Sequence, residues 1–218
     1  MIILTGPTAV GKTSLSIALA KAVNGEIISA DSMQVYRHMD IGSAKIRPEE
    51  MCGVPHYLID VLDPSEEFHV VKFVELAHEA MEKIYAAGQI PIVTGGTGFY
   101  IQALLKEVDF TESHGELPIR KQLEEKAATE EGAAELYREL SEVDPASAET
   151  IHPNNVKRVI RALEYYHETG QKISEHNEEQ KQKESPYCSA YFVLNDERSI
   201  LYDRIDRRVD QMLSLIHI

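Results

Sequence analysis

Short apolar runs separate longer amphipathic stretches over the first hundred residues of the chain. Residues 1–4, 26–30, 56–61 and 89–94 each contain two or more branched apolar side chains and little charge. Such runs are typical of strands buried on both faces of a parallel sheet. The spacing between them predicts crossover connections, and therefore an α/β fold.

Two of these connections have helical periodicity. Residues 13–23 place apolar side chains on one helical face, and the face consists of Leu15, Ala18, Leu19 and Ala22. The second helix is expected to start at a turn over residues 63–65 and to end at Gly88. Its apolar face consists of Val70, Phe73, Ala77, Ala80, Met81 and Ile84. With these helices, the pattern predicts a parallel sheet covered by helices on both faces.

The pattern changes beyond Lys106. Residues 117–140 are rich in alanine and glutamate and have no strand pattern, which predicts an inserted small helical subdomain. After residue 150 we expect an amphipathic helix, a mobile polar loop near residues 169–186, a strand over 191–194 and a helix over 200–213. These features divide the chain into a core at 1–106, a helical insertion at 107–150 and a return to the core at 151–218.

The charge of the chain is strongly acidic and unevenly distributed. Lysine and arginine number 22 against 36 aspartates and glutamates, which gives a formal net charge of −14. Residues 107–149 contain 13 of the acidic residues and four of the basic ones. A nucleic-acid partner normally meets a basic surface, but an acidity this localised leaves room for basic faces elsewhere.

The composition also indicates in which cellular compartment the protein is expected. No apolar run approaches the roughly 18 residues that a membrane-spanning helix needs, so no membrane association is expected. Cys52 and Cys188 are the only cysteines, and they form neither a disulfide framework nor a C-x-x-C metal motif. A reducing cytoplasm and a monomeric protein are the expectation.

The strongest motif lies between the first predicted strand and the first predicted helix. It matches G-x-x-x-x-G-K-[ST], in which glycines turn backbone N–H groups toward a phosphate at the start of a helix. The lysine neutralises phosphate oxygens, and the hydroxyl of Thr13 can hold Mg²⁺. The predicted phosphate-binding residues are Gly6, Pro7, Thr8, Ala9, Val10, Gly11, Lys12 and Thr13.

The residues that follow the other strands do not fit nucleotide hydrolysis. The strand at 89–94 runs into Gly95-Gly96-Thr97-Gly98 and lacks the acid with which an ATPase or GTPase holds Mg²⁺. The nearest acid is Asp31, at the carboxyl end of the second strand, where ligands bind in parallel sheets. Its carboxylate can hold Mg²⁺, cap a helix or serve as a general base, and the sequence leaves these alternatives open.

Two basic groups complete the candidate chemistry. Arg204 and Arg208 lie four residues apart on the last predicted helix, either as a solvated face or as a site for an anionic ligand. Lys157, Arg158 and Arg161 flank the apolar stripe of an earlier helix. They either solubilise that helix or contact a phosphate backbone.

Five segments together resemble the tRNA dimethylallyltransferase family, the bacterial isopentenyl transferases. They are GPTAVGKT at 6–13, ISADSMQVYRHMDIGSAK at 28–45, GGTGFYIQALL at 95–105, NNVKRVIRALE at 154–164 and LYDRIDRRVDQML at 201–213. The glycine loop is shared by many families, but the second and third segments are specific. The resemblance covers the chain from Met1 to about Leu213.

The resemblance implies a P-loop NTPase-like fold that binds dimethylallyl diphosphate in place of ATP, with Mg²⁺ as cofactor. It implies transfer of the dimethylallyl group to the exocyclic amine of the adenosine immediately 3′ of the anticodon in tRNA. By match of motif, Asp31 is the base, Thr97 contacts the reacting groups, and Arg204 clamps the diphosphate, with Arg208 as second choice. The implied contacts to the tRNA anticodon arm are Asp31, Ser32, Met33, Gln34, Thr97, Lys157, Arg158, Val159, Ile160 and Arg161.

One departure and two rival functions accompany this resemblance. Family members usually extend well past 218 residues, and the final residues 214–218 do not continue the family pattern. We therefore expect a chain with a truncated C-terminus. The rivals are a P-loop small-molecule kinase that uses ATP, with Asp31 holding the acceptor hydroxyl, and a non-enzymatic RNA-binding module.

Overall fold

The computed structural model describes residues 1–107 and 118–217. The strands are β1 (Ile2–Thr5), β2 (Gly25–Ser29), β3 (His56–Tyr57), β4 (Ile90–Gly95) and β5 (Ala190–Val193). The helices are α1 (Lys12–Val23), α2 (Val70–Ala86), α3 (Gly98–Lys106), α4 (Pro118–Lys126), α5 (Glu130–Val143), α6 (Pro145–Thr150), α7 (Val156–Thr169), α8 (Ile173–Gln182) and α9 (Arg198–His217). Within these described residues, no helix is both long enough and apolar enough to span a membrane.

The five strands form one parallel sheet in the order β3-β2-β4-β1-β5. The register places Thr5 of β1 opposite Gly95 of β4, and Ser29 of β2 opposite Thr94. The carboxyl ends of the three central strands therefore lie side by side at one edge. Every segment that leaves these strands begins at that edge.

Helices cover both faces of the sheet, as predicted, but the predicted apolar face of α1 was wrong: Leu15, Ala18 and Ala22 are exposed, and the buried residues are Ser16, Ile17 and Ala20. Successive strand residues point to opposite faces, so Ile27 and Ile92 pack with α1, whereas Ile28 and Val93 pack with α2 and α3. Phe73 and Ile84 of α2 are fully buried in the second cluster. The predicted α/β fold is confirmed. The central strands are nearly uninterrupted runs of apolar residues because helices cover both faces of the sheet.

The helix that follows β3 begins later than the sequence predicted. Residues 63–65 form a turn in which the Asp63 carboxylate accepts hydrogen bonds from the backbone and hydroxyl of Ser65. The helix itself begins at Val70, where the His69 ring accepts a hydrogen bond from the backbone N–H of Lys72. The predicted start at residues 63–65 was wrong because an Asp-Pro-Ser sequence resembles a helix start. Within the described residues, the Asp63 side chain accepts hydrogen bonds only from within its own turn and so caps no helix.

The chain divides into two compact units, one formed by Met1–Val108 and Ser185–Ile218 and the other by Asp109–Glu184. The helical unit is therefore longer than the predicted insertion at 107–150. Helix α7, which we assigned to the core, instead packs Val159 and Leu163 against Leu136 and Leu140 of α5. Periodicity identified the apolar face of α7 but could not show which surface that face meets.

The predicted mobile loop near 169–186 also contains a helix, α8. Its residues are mostly Glu, Gln and Lys, which favour helix formation, but none of its side chains is buried. The low hydrophobicity that suggested a loop therefore reflects an exposed helix. Its first turn is attached to the rest of the unit through Ser174.

Asp144 forms the polar centre of the helical unit. Its side chain is almost completely buried and accepts hydrogen bonds from the backbone N–H and hydroxyl groups of both Ser147 and Ser174. Burial acts to raise the pKa of Asp144, but the hydrogen bonds from Ser174 and Ser147 outweigh it and hold the pKa below its ordinary value. One carboxylate thus caps α6 and anchors the start of α8.

We expect Asp144→Ala to lower the free energy of unfolding by about 2 kcal/mol, because two buried and two half-buried donors lose a charged acceptor. The measurement is urea denaturation followed by circular dichroism. A lowered pKa stabilises the fold above the ordinary aspartate pKa, so the difference from wild type should be complete at pH 7. It should shrink below about pH 4, as the carboxylate becomes protonated in both states.

Glu149→Ala, which removes an exposed carboxylate from the same helix α6, is the matched control. Its effect should stay within about 0.5 kcal/mol. An equally small effect of Asp144→Ala at pH 7 would contradict the role given to Asp144.

Candidate functional site

The glycine loop connects β1 to α1 at the carboxyl edge of the sheet. Gly11 has a φ of 95° and Gly6 a φ of 149°, conformations that side chains other than glycine rarely adopt. A Cβ atom on Gly6 would also collide with the carbonyl oxygen of Leu194, just after β5. The loop therefore holds its shape through its backbone conformation. It leads directly into the N-terminus of α1, the end of a helix that favours anion binding.

Lys12 lies across this loop. Its Nζ donates hydrogen bonds to the carbonyl oxygens of Gly6 at 2.8 Å and Pro7 at 2.7 Å. Burial lowers the pKa of Lys12, the positive charge of Arg208 lowers it further, and the charge of Asp31 acts in the opposite direction. Two cations and one carboxylate thus interact electrostatically at the loop, with a net positive balance that favours an anionic ligand.

A cavity of about 510 Å³ lies beside the loop within the sheet-containing unit. It brings together residues from five distant parts of the sequence: the glycine loop with the start of α1, β2 with the segment after it, β3 with the segment after it, the end of β4, and helix α9. The predicted site residues that line it are Thr8, Ala9, Val10, Gly11, Lys12, Thr13, Asp31, Met33, Gln34 and Arg208. Gly6 and Pro7 contribute through the carbonyls that hold Lys12, and Ser32 is not among the lining residues.

The two arginines of α9 differ in their surroundings. Arg208 lines the cavity, whereas Nη1 of Arg204 lies 3.0 Å from the Asp196 carboxylate in an ion pair. They share a face of the helix, but a four-residue separation displaces them by about 6 Å along its axis. The cavity geometry therefore favours Arg208 over Arg204, the first choice from the sequence, because spacing alone could not show which turn of α9 reaches the cavity; the role of either arginine stays a prediction.

Asp31 caps a turn and not a helix, and its roles as a base or a Mg²⁺ ligand stay predictions. Its Oδ1 accepts hydrogen bonds from the backbone N–H groups of Met33 at 2.8 Å and Gln34 at 3.2 Å. Among the described residues, these two hydrogen bonds leave Oδ2 available while the residue lines the cavity. The turn fixes the direction of the carboxylate, and a carboxylate so fixed can accept a proton from a ligand.

The end of β4 contributes differently from the prediction. Thr94, Gly95 and Gly96 line the cavity, whereas Thr97 occupies the N-cap position of α3 and is not a lining residue. Within the described ranges, the buried hydroxyl oxygen of Thr94 has no hydrogen-bond partner. Sequence reasoning missed Thr94 because it reads as one more β-branched residue in an apolar strand.

Apolar side chains also line the cavity, and sequence reasoning missed this apolar wall as well. It is formed by side chains from the segment after β2, the segment after β3 and helix α9: Met33, Ile46, Ile59, Ile205, Val209 and Met212. No local signal marks these positions, because each lies in a different stretch of sequence. The wall lets the cavity bind an apolar group attached to a phosphate.

The residues of this cavity suit a magnesium ion that would be held partly by the protein and partly by a bound phosphate. Thr13 and Thr94 offer hydroxyl oxygens and Asp31 offers a carboxylate, the donor types that Mg²⁺ prefers. In the described part of the chain there is no cluster of three or more histidine, cysteine or acidic residues that would bind a metal by itself. A metal held here would therefore depend on the anionic ligand.

The predicted RNA-contacting residues of α7 divide into exposed and buried groups. Lys157 and Arg158 are exposed, and Arg161 lies 3.0 Å from the buried carboxylate of Glu164. Val159 and Ile160 are buried in the core of the helical unit, 1% and 5% exposed, so neither is available to touch RNA. The prediction included these two only because they sit inside a motif.

Comparisons with known proteins identify the family of this chain. The sequence model of the family described as IPP transferase matches residues 34–215. A tRNA dimethylallyltransferase of Lachnoclostridium phytofermentans is 65% identical over 213 residues, which cover 98% of this chain and 68% of that protein. The protein of the same name from Bacillus cytotoxicus is 51% identical, covering 98% and 67%.

Solved structures give the same result. The full-length tRNA isopentenylpyrophosphate transferase from Bacillus halodurans is 47% identical with a TM-score of 0.65, covering 98% of this chain and 65% of that chain. A eukaryotic dimethylallyltransferase acting on tRNA is 40% identical with a TM-score of 0.85, covering 98% and 52%. The chain thus spans about two thirds of the length of these bacterial relatives and about half of the eukaryotic one.

The cavity geometry predicts that the two arginines of α9 differ in anion binding. Arg208→Ala should weaken the binding of inorganic diphosphate in the presence of Mg²⁺ by about tenfold to hundredfold, because it removes one of the two cations at the loop. Arg204→Ala, the same change one turn away, should alter the affinity by less than about threefold. Isothermal titration calorimetry measures both, and equal losses would contradict the assignment.

Proposed function

This chain belongs to the IPP transferase family, and from that membership we propose that it transfers a dimethylallyl group from dimethylallyl diphosphate to tRNA. The acceptor is the exocyclic amine of the adenosine immediately 3′ of the anticodon, and diphosphate is released. The observation that carries the proposal is one cavity in which a phosphate-binding loop, two cations, a fixed carboxylate and an apolar wall meet.

The diphosphate group fits the polar side of this cavity. The backbone N–H groups of the loop and the side chains of Lys12 and Arg208 bind its oxygens and stabilise the charge that develops as it leaves. Mg²⁺, when bound, neutralises further negative charge on the leaving group. The apolar wall that includes Ile205 and Val209 accommodates the five-carbon group.

Proton transfer is assigned to Asp31. The carbon–oxygen bond of the donor breaks, a carbon–nitrogen bond forms at the adenine amine, and that amine must then lose a proton. The turn at Met33 and Gln34 holds the Asp31 carboxylate in place to accept it. This reaction needs no positioned water, which agrees with the lack of an acid at the end of β4.

Recognition of tRNA is assigned to two surfaces. In the sheet-containing unit, Met33 and Gln34 line the cavity that must admit the target base, which has to leave its stack to react. In the helical unit, the exposed side chains of Lys157 and Arg158 can contact the phosphate backbone. Val159 and Ile160 support that surface from within. We place the reaction in the cytoplasm, on a monomer.

The kinase alternative has less support. An ATP-dependent kinase shares the glycine loop, but a cavity with an apolar wall favours a hydrocarbon substituent on the phosphate over a polar acceptor. The relatives described above are named as transferases to tRNA. A module that binds RNA without catalysis would have no use for a fixed carboxylate beside two cations.

The test is incubation of the protein with unmodified tRNA and labelled dimethylallyl diphosphate, alongside a reaction with ATP labelled in its terminal phosphate. We expect label in tRNA from the first donor only, and release of diphosphate in equal amount. Label transfer from ATP without prenylation of tRNA would overturn the proposal in favour of a kinase. Binding of tRNA without either reaction would favour the RNA-binding module.

Asp31→Asn tests the assignment of the base. The amide oxygen can still accept the hydrogen bonds from Met33 and Gln34, but the group can no longer accept a proton, so turnover should fall by about 10²–10⁴. Binding of inorganic diphosphate should persist, because Lys12 and Arg208 are unchanged. Turnover is measured as label incorporated into tRNA per minute at saturating donor.

Asp63→Asn is the matched control for this variant. Its carboxylate accepts hydrogen bonds in a similar short turn, with Ser65, but Asp63 does not line the cavity. Turnover of this control should stay near that of the wild type. Asp31 would lose its assigned role if both variants behaved alike.

A further inference from the structure

The segment between β2 and β3 is long and irregular, yet it forms much of the cavity wall. Residues 30–55 contain neither helix nor strand and contribute Asp31, Met33, Gln34 and Ile46 to the cavity lining. A stretch of this length keeps one conformation only where specific contacts hold it, because its backbone lacks a continuous hydrogen-bond ladder. The contacts that hold it therefore affect the cavity directly.

One buried ammonium group supplies the strongest of these contacts. The side chain of Lys45 is 4% exposed. Its Nζ donates hydrogen bonds to the carbonyl oxygen of Tyr36 at 2.6 Å and to the carboxylates of Asp40 at 2.7 Å and Asp60 at 2.5 Å. An ammonium group has three protons, so each can serve one of these three acceptors.

These acceptors lie in separate stretches of chain. Tyr36 and Asp40 belong to the segment between β2 and β3, whereas Asp60 follows β3. Backbone bonds join the same stretches, since the N–H of Asp60 donates to the Gln34 carbonyl and the N–H of Val61 to that of Val35. Lys45 therefore connects the segment between β2 and β3 to the residues after β3, and both stretches contain cavity residues.

The charges around Lys45 favour the protonated state. Burial acts to lower its pKa, but the hydrogen bonds and charges of Asp40 and Asp60 outweigh burial and hold the pKa above the ordinary lysine value. The two carboxylates are 65% and 50% exposed. Water can therefore hydrate them if the ammonium is removed, so its loss should loosen the segment without leaving a buried charge unpaired.

Building on the proposed function, we propose that Lys45 is a positioning residue for prenyl transfer. Lys45 does not line the 510 Å³ cavity, but it lines an adjoining cavity that shares Gln34, Ile46 and Arg208 with it. It holds residues 31–46 in the conformation that presents the Asp31 carboxylate and the side chains of Met33 and Gln34 to the incoming base. The three hydrogen-bond acceptors of Lys45 all lie outside the glycine loop, so we expect the diphosphate subsite to form without this contact.

Lys45→Met tests this inference, because it keeps the length of the side chain and removes its charge. Amide hydrogen exchange should accelerate by about tenfold or more at residues 34–46 and 60–62, and remain unchanged in β1, β4 and α2. The kcat/KM for tRNA should fall by about tenfold to hundredfold, because the base is misplaced. The affinity for inorganic diphosphate with Mg²⁺ should stay within about threefold of the wild type.

Lys72→Met is the matched control, since it removes an exposed lysine whose ion-pair partner is Glu75. It should change neither local exchange nor kcat/KM. A double-mutant comparison adds specificity: in a chain that carries Asp40→Asn and Asp60→Asn, Lys45→Met should cause much less further loss, because its partners are already gone.

Three outcomes would overturn the inference. One is wild-type kcat/KM in Lys45→Met. Another is faster exchange throughout the sheet with an equal loss of diphosphate binding, which would show a purely structural role. The last is reduced activity with unchanged exchange at residues 34–46. The exchange experiment needs no activity, so a wild-type protein that fails to prenylate tRNA would contradict the proposed function and leave the loop result interpretable.

Discussion

The parallel arrangement of β1, β2 and β4 is the constraint on which the candidate site depends. Because all three strands run the same way, their carboxyl ends meet at one edge, and the register sets Thr5 beside Gly95 and Ser29 beside Thr94. The glycine loop, Asp31 and the end of β4 are far apart in sequence but leave the sheet at this edge. An antiparallel partner in the centre would have separated them.

Local electrostatics at this edge differ from those of the chain as a whole. The formal net charge is −14, yet Lys12 and Arg208 are close enough for the charge of one to lower the pKa of the other. Such repulsion opposes folding, and an anion placed between the two cations relieves it. The unfavourable interaction in the ligand-free protein thus becomes a source of binding energy, which overall composition could not reveal.

The sequence predicted most features that depend on local pattern, except the start of α2 and helix α8, and it missed those that depend on tertiary contact. The strand runs, the loop at residues 6–13 and the helix at Val156–Thr169 were recognisable because periodicity and glycine positions act within a few residues. The packing of α7 on α5, the choice of Arg208 over Arg204, and the apolar wall were not recognisable. Each depends on which surface a helix meets, and the spacing of side chains on one element does not determine that.

The apolar wall and the glycine loop together explain how a diphosphate cradle can retain a substrate and still release its product. Burying a five-carbon group contributes at most about 4 kcal/mol, at roughly 0.8 kcal/mol for each carbon, in addition to the contacts that hold the diphosphate. Once the carbon–oxygen bond breaks, that contribution no longer acts on the diphosphate, which then binds through Lys12, Arg208 and the loop alone. In the proposed reaction, burial of the five-carbon group would therefore favour the intact donor over the leaving group by up to about a thousandfold, set against the extra negative charge that the released diphosphate presents to Lys12 and Arg208.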